Sequence, residues 1–205
     1  MVWFWVGVTA VFLVLELIGE VRDATWLVWL AKPIASTGFV LAGYAAGAFD
    51  SSYGQVIFVG LCFCWVGDVL LIPKKSKLSF LLGLVAFLTG HIAYAIAFTY
   101  LGLDGSVVGL TALALVVPVI FVGRWLLPNV SRRMLGPVVA YMTVITVMVT
   151  FAVGTQAPWV IGAAILFYLS DLAVARQRFI APGSINRLVG LPLYFIAQVI
   201  FAVTV

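Results

Sequence analysis

Apolar runs of roughly 20 residues follow one another along the chain, each closed by a short cluster of proline, glycine or charged side chains. The runs are continuously apolar, so they read as membrane-spanning helices; the strands of a transmembrane barrel would alternate polar and apolar residues over segments of about ten. Eight spans are predicted, at approximately 3–18, 25–48, 54–72, 78–101, 106–126, 134–154, 157–175 and 187–205. The expected fold is all-α, a polytopic transmembrane helical bundle forming a single integral membrane domain over residues 1–205.

Composition sharpens this picture. Of 205 residues, 65% are hydrophobic and 9% charged, against roughly 25% charged in a soluble domain, and eight short-looped spans leave no length for a soluble domain. Met1-Val2-Trp3-Phe4-Trp5 lacks the basic start of a cleavable signal, so it is read as the opening of the first span. The loops carry the sidedness. Arg22 lies in the first loop, Lys74, Lys75 and Lys77 in the third, Arg124, Arg132 and Arg133 around the fifth, and Arg176, Arg178 and Arg187 around the seventh. The even-numbered loops hold Asp50 and Asp104 and no Lys or Arg. The positive-inside rule then puts the basic face in the cytoplasm and both termini outside it, in a cell membrane, the inner one in a bacterium. This placement accounts for the net charge of +4 without nucleic acid as a partner. Trp3, Trp5, Trp26, Trp29, Trp125 and Trp159 sit near span ends as interfacial anchors. Cys62 and Cys64, two apart on one helix, diverge too far for a disulfide and read as packing residues.

Five ionisable side chains fall within or at the edge of the spans: Glu16, Lys32, Asp68, His91 and Asp171. A carboxyl group in lipid is costly and normally faces a bundle interior or a wet cavity, where it has a function. Asp68 lies five residues before Pro73 and Asp171 five before Arg176, which puts each roughly 7 Å inside the basic boundary. Lys32 comes out about as deep on its own span, with His91 nearer the midplane. Two acids beside one lysine leave an excess carboxyl, so one acid can stay protonated while the other is ionised. Such a pair suits acid-assisted hydrolysis. Lys32 is placed to pair with an Asp or to bind a phosphate entering from the interface, and Ser36 lies one turn on along its face. Tyr94 follows His91 on one face, and Tyr194 and Gln198 make a polar stripe on the last span. Glu16 is expected to snorkel towards Arg22 as an interfacial residue. One histidine and two divergent cysteines do not make an ordinary zinc site, and there is no GxSxG, P-loop or HExxH. No cofactor and no metal are expected.

Asp68 and Asp171 are 103 residues apart, and the same offset carries Trp65 onto Tyr168 and His91 onto Tyr194. A four-plus-four internal repeat would produce this, and a site at the repeat interface is familiar in transporters. A small proton-coupled transporter, with the buried acids and His91 as a relay, is therefore the alternative to an enzyme.

Several of these motifs in this order, Lys32-Pro33, Gly67-Asp68-Val69-Leu70-Leu71, Phe87-Leu88-Thr89-Gly90-His91-Ile92-Ala93-Tyr94, Gly162 to Asp171, and Tyr194-Phe195-Ile196-Ala197-Gln198, resemble the YhhN-like lysoplasmalogenase family. The resemblance implies an eight-span membrane hydrolase that cleaves the vinyl ether bond of lysoplasmalogens to a fatty aldehyde and a glycerophospho-base. Its partners would be a lysophospholipid, water and the bilayer. It also implies Lys32, Asp68, His91, Tyr94, Ser170, Asp171 and Tyr194 as site residues. Vinyl ethers hydrolyse through rate-limiting protonation at carbon, so the expectation is Asp68 as general acid and Asp171 as base or stabiliser, with exchange of the two roles left open. Lys32 would meet the headgroup phosphate, and His91, Tyr94 and Tyr194 would position the linkage or the water.

Overall fold

A computed structural model of the protein describes residues 1–74 and 76–205; Lys75, one of the predicted basic loop residues, lies outside them. Among the described residues eight α-helices follow in order, each long and apolar enough to cross a membrane: α1 Val2–Val21, α2 Thr25–Ala46, α3 Ser52–Leu71, α4 Lys77–Tyr100, α5 Gly105–Leu126, α6 Arg132–Gly154, α7 Pro158–Ala175 and α8 Ser184–Val203. Among the described residues there is no strand. Every observed end lies within three residues of its predicted position. The largest differences are at α1, which runs on to Val21, and at α8, which starts at Ser184. Both extra turns carry charged or polar groups that find partners at the basic end of the bundle, Glu20 with Lys74 and Arg187, and Asn186 with Arg176.

The helix ends are capped by side chains the sequence supplies. Ser51 and Ser76 accept from the amides of Gly54 and Ser79 at 2.9 and 3.1 Å, and Asp104 accepts from Ser106 and Val107 at 2.9 and 3.2 Å. Asp104 lies outside the spans, and the hydroxyl and amide of Ser106 with the Val107 amide hold its carboxyl below the ordinary aspartate range. α2 ends at Gly47, whose φ of 98° is open to glycine at no cost.

The helices pack as hairpins, α1 on α2, α3 on α4, α5 on α6 and α7 on α8, and the hairpins join through α2–α3, α6–α7, α4–α6 and α2–α8. Advancing every helix by four turns this set of contacts into itself, which is the pattern of a four-plus-four repeat. The α3–α4 seam is close. Gly60 and Gly67, seven apart, face the rings of Tyr94 and Phe87, which would lie 2.3 and 2.6 Å from an added Cβ. Gly83 and Gly90 answer from α4 against Leu71 and Cys64. The interior is aromatic, with Phe39, Tyr94, Phe98, Phe167, Phe195 and Phe201 buried together, while Trp3, Trp26 and Trp159 are exposed at helix ends. α5 stands apart: Leu126 is its only buried residue.

Candidate active site

Asp68 sits in the last turn of α3, fully buried, and receives donors from three directions. Ser36 Oγ donates to Oδ2 at 2.6 Å, Tyr194 OH donates to the same oxygen at 2.7 Å, and Lys32 Nζ stands 3.3 Å from Oδ1. Lys32 and Ser36 reach it together because they are one turn apart on α2. A buried carboxyl with three donors is complementary to its ionised form, whose oxygens only accept.

Lys32 Nζ also bonds Glu16 Oε1 at 3.1 Å. This corrects the expectation for Glu16. The side chain does not snorkel towards Arg22; it is fully buried and faces α2. Gly19 is the reason, since it lets α1 come within contact of Val28 and brings Glu16 opposite Lys32. The two acids beside the lysine are therefore Glu16 and Asp68, whereas Asp171 is held elsewhere. With two carboxylates on its ammonium, Lys32 fits the ion-pair reading of its role better than the phosphate reading.

Asp171 lies on α7, where Tyr141 OH donates to Oδ2 at 2.7 Å and His91 Nε2 faces the same oxygen at 3.6 Å. His91 Nδ1 is 2.7 Å from the Phe87 carbonyl. A carbonyl only accepts, so Nδ1 carries the hydrogen and a neutral His91 presents the lone pair of Nε2 to Asp171. Nε2 has no other partner among the described residues. One proton between the imidazole and the carboxyl satisfies both.

The two acids are matched in construction. Each takes one hydroxyl from the helix preceding its own, Ser36 on α2 and Tyr141 on α6, and one group from the fourth helix of the opposite half, Tyr194 on α8 and His91 on α4. The two halves thus exchange their last helices across one site. Asp68, Asp171, Lys32, Ser170, Tyr141 and Tyr194 line a common cavity of about 180 Å³. Much of the remaining lining is apolar, with Val119 and Val122 of α5 and Met142 and Ile145 of α6, and Gln177, Asn186 and Arg187 line it at the basic end.

Other predicted residues do not present a free polar group to the cavity. Ser36 and His91 touch the acids from behind. Tyr94 OH donates to Gln198 Oε1 at 2.6 Å, forming a buried pair without contact to either acid. Ser170 borders the cavity, but its hydroxyl donates to Phe167 O at 2.7 Å. Glu16, as a partner of Lys32, and Tyr141 are the additions that sequence reasoning missed. The 103-residue offset gives no signal for Tyr141, since it carries Ser36 onto Val139.

The YhhN family model matches residues 27–205. A Shigella flexneri membrane protein named YhhN is 31% identical over 77 residues, which cover 38% of this chain and 36% of that protein. The bovine lysoplasmalogenase TMEM86A is 31% identical over 160 residues, 72% of this chain and 64% of the relative. The human lysoplasmalogenase TMEM86B is 30% identical over 157 residues, 76% and 65%. The matches thus span between about a third and two thirds of the length of these curated relatives. No solved structure matches.

Proposed function

The chain belongs to the YhhN family, and we propose that it is an intramembrane lipid hydrolase cleaving the vinyl ether bond of a lysoplasmalogen, or of a related single-chain lipid, to a fatty aldehyde and a glycerophospho-base. One observation carries the reading: two carboxyl groups with unlike donor sets border one cavity whose remaining lining is largely apolar. The names of the bovine and human relatives support it.

The unlike donor sets support a division of labour. Asp171, with one hydroxyl donor and an imidazole lone pair before it, suits the protonated acid. Asp68, with a lysine and two hydroxyls donating to it, suits the ionised partner. This reverses the roles expected from sequence. Asp171 would give its proton to the alkene carbon, and the resulting oxocarbenium ion would be stabilised by the Asp68 carboxylate. Water then adds to the cation carbon and yields a proton to Asp68; as the hemiacetal collapses, Asp68 returns that proton to the departing glycerol oxygen and the hemiacetal hydroxyl gives its own to Asp171, so the carbon–oxygen bond breaks, aldehyde and alcohol leave, and both acids are restored. Water is the only co-reactant. Tyr194 would orient Asp68, and the apolar wall of α5 and α6 would take the alkyl chain. The basic end of the bundle would face the cytoplasm, by the positive-inside rule.

The test is aldehyde release from a lysoplasmalogen by the purified, detergent-solubilised protein. Asp68→Asn and Asp171→Asn should each lower turnover by about 10²- to 10⁴-fold, the range for a positioned acid or base. Folded wild-type protein that releases no aldehyde, or unchanged turnover in both variants, would overturn the proposal.

A further inference from the structure

Lys32 is neutralised by Glu16 and Asp68, so an anionic group on a substrate has to be met elsewhere. The cavity itself leads to the place. At its basic end Arg187, Asn186 and Gln177 line the wall, and Lys74, Arg176 and Arg178 surround them through a connected set of contacts. Glu20 accepts from both Lys74, at 2.8 Å, and Arg187. Arg178 donates to the Lys74 carbonyl at 3.1 Å and lies 4.2 Å over the ring of Phe80, which also lines the cavity. Two of these four cations, Lys74 and Arg187, share the carboxylate of Glu20, and the excess positive charge borders a cavity whose depth holds the acids.

The donors there are aimed and partly unused. Gln177 Oε1 accepts from the Gly183 amide and from Asn186 Nδ2, both at 2.8 Å. This fixes the amide orientation and leaves its NH₂ as a donor with no partner among the described residues. Arg176 donates to Asn186 Oδ1 at 2.5 Å, which ties the turn after α7 to the first turn of α8. Among the described residues only Nη1 of the Arg187 guanidinium is engaged, by Glu20. The remaining N–H groups of the fork match the geometry of a phosphate.

We propose that this mouth, built on Arg187 and Gln177, is the subsite for the phosphate of a single-chain phospholipid. The inference deepens the hydrolase reading and rests on it for the class of lipid. Spacing supports it: Arg187 is seven residues before Tyr194 on α8, roughly 10 Å along the axis. Tyr194 marks the level of Asp68. The link from the ether oxygen of a glycerolipid to its phosphorus is five single bonds, roughly 6 Å when extended, and the Tyr194 side chain, leaning back towards the start of its helix, narrows the remainder. A phosphate held at Arg187 therefore sets the ether linkage at the acids with the chain beyond it.

The test measures binding, not turnover. The full chain in detergent is titrated with palmitoyl lysophosphatidylcholine, which has no vinyl ether, and with the matching uncharged monoacylglycerol, read by native mass spectrometry. The phospholipid should bind about tenfold more tightly or better, the usual worth of a charge-assisted contact. Arg187→Gln should remove that preference and leave monoacylglycerol binding unchanged. Gln177→Glu keeps the acceptor that Gly183 and Asn186 use but turns the free donor into a repelling oxygen, so it should do the same in a folded protein. Wild-type preference in both variants, or none in the wild type, would overturn the subsite. Inorganic phosphate at equal concentration should not displace the lysophospholipid; displacement would make this a free-anion site and overturn the lipid assignment. A wild type that shows the preference but releases no aldehyde from lysoplasmalogen would sink the hydrolase reading and leave the subsite standing.

Discussion

The first half of the bundle, α1 to α4, and the second, α5 to α8, share one plan and use it differently. In the first half Glu16 and Gly19 seal α1 against α2, and the charge on Lys32 is enclosed between Glu16 and Asp68. Advanced by 103 residues, those two positions become Val119 and Val122, and both line the cavity. α5 buries only Leu126, where α1 packs against both α2 and α8. Gly67, pressed on Phe87, becomes Ser170. The first half holds a charge rigidly, and the second gives up packing to leave room. A duplicated four-helix unit can in this way provide two carboxyl groups with different environments, which paired acid–base chemistry requires.

The strongest test of that contrast is Lys32→Met. It leaves Glu16 and Asp68 buried without their cation, and should cost about 3–5 kcal/mol in reversible unfolding in detergent. Adding Glu16→Gln should recover part of the loss, because one uncompensated charge goes with it. A double variant no more stable than Lys32→Met would mean that the triad does not act as a unit. The next test exchanges Gly67 and Ser170. Gly67→Ser pushes a side chain into Phe87 and should cost about 1–3 kcal/mol, whereas Ser170→Gly should cost less than about 1 kcal/mol. Equal costs would contradict the looser second half.

On the cavity side, Val122→Trp fills space that a lipid chain would use. It should raise KM for a lysoplasmalogen by about tenfold, the worth of a few misplaced methylene contacts, with little change in melting temperature. A drop in melting temperature with unchanged KM would show α5 to be structural. The smallest effect lies at the cap of α5. Asp104 titrates below its ordinary range in the folded protein because Ser106 and Val107 donate to it. Its contribution to stability is present above the unfolded-state value and is lost as pH falls through the folded one. The acid-side loss of melting temperature should therefore be slightly smaller in Asp104→Asn than in the wild type.

Much of the fold and part of the site were legible along the chain. Asp68 and Asp171 stood out because ionisable groups are rare in apolar runs, and the 103-residue offset anticipated that His91 and Tyr194 would play matching parts. Glu16 was misread because distance from a helix end says nothing about which face the side chain is on. For Tyr94 and Gln198 the helical phase identifies the face each shares with His91 or Tyr194, but not the neighbour that the face meets, which here is the other of the two.

The sequence by itself determined the eight spans, their ends and the gathering of basic loops, because lipid as a solvent demands unbroken apolar runs and leaves polar residues only at the borders. Tertiary structure alone decided that Lys32 belongs to Glu16 and Asp68, that Tyr141 and His91 serve Asp171, and that α5 stands off to open a cavity. Those side-chain contacts join residues 16 to 80 positions apart in the chain, and local pattern carries no information about which distant helix lies opposite.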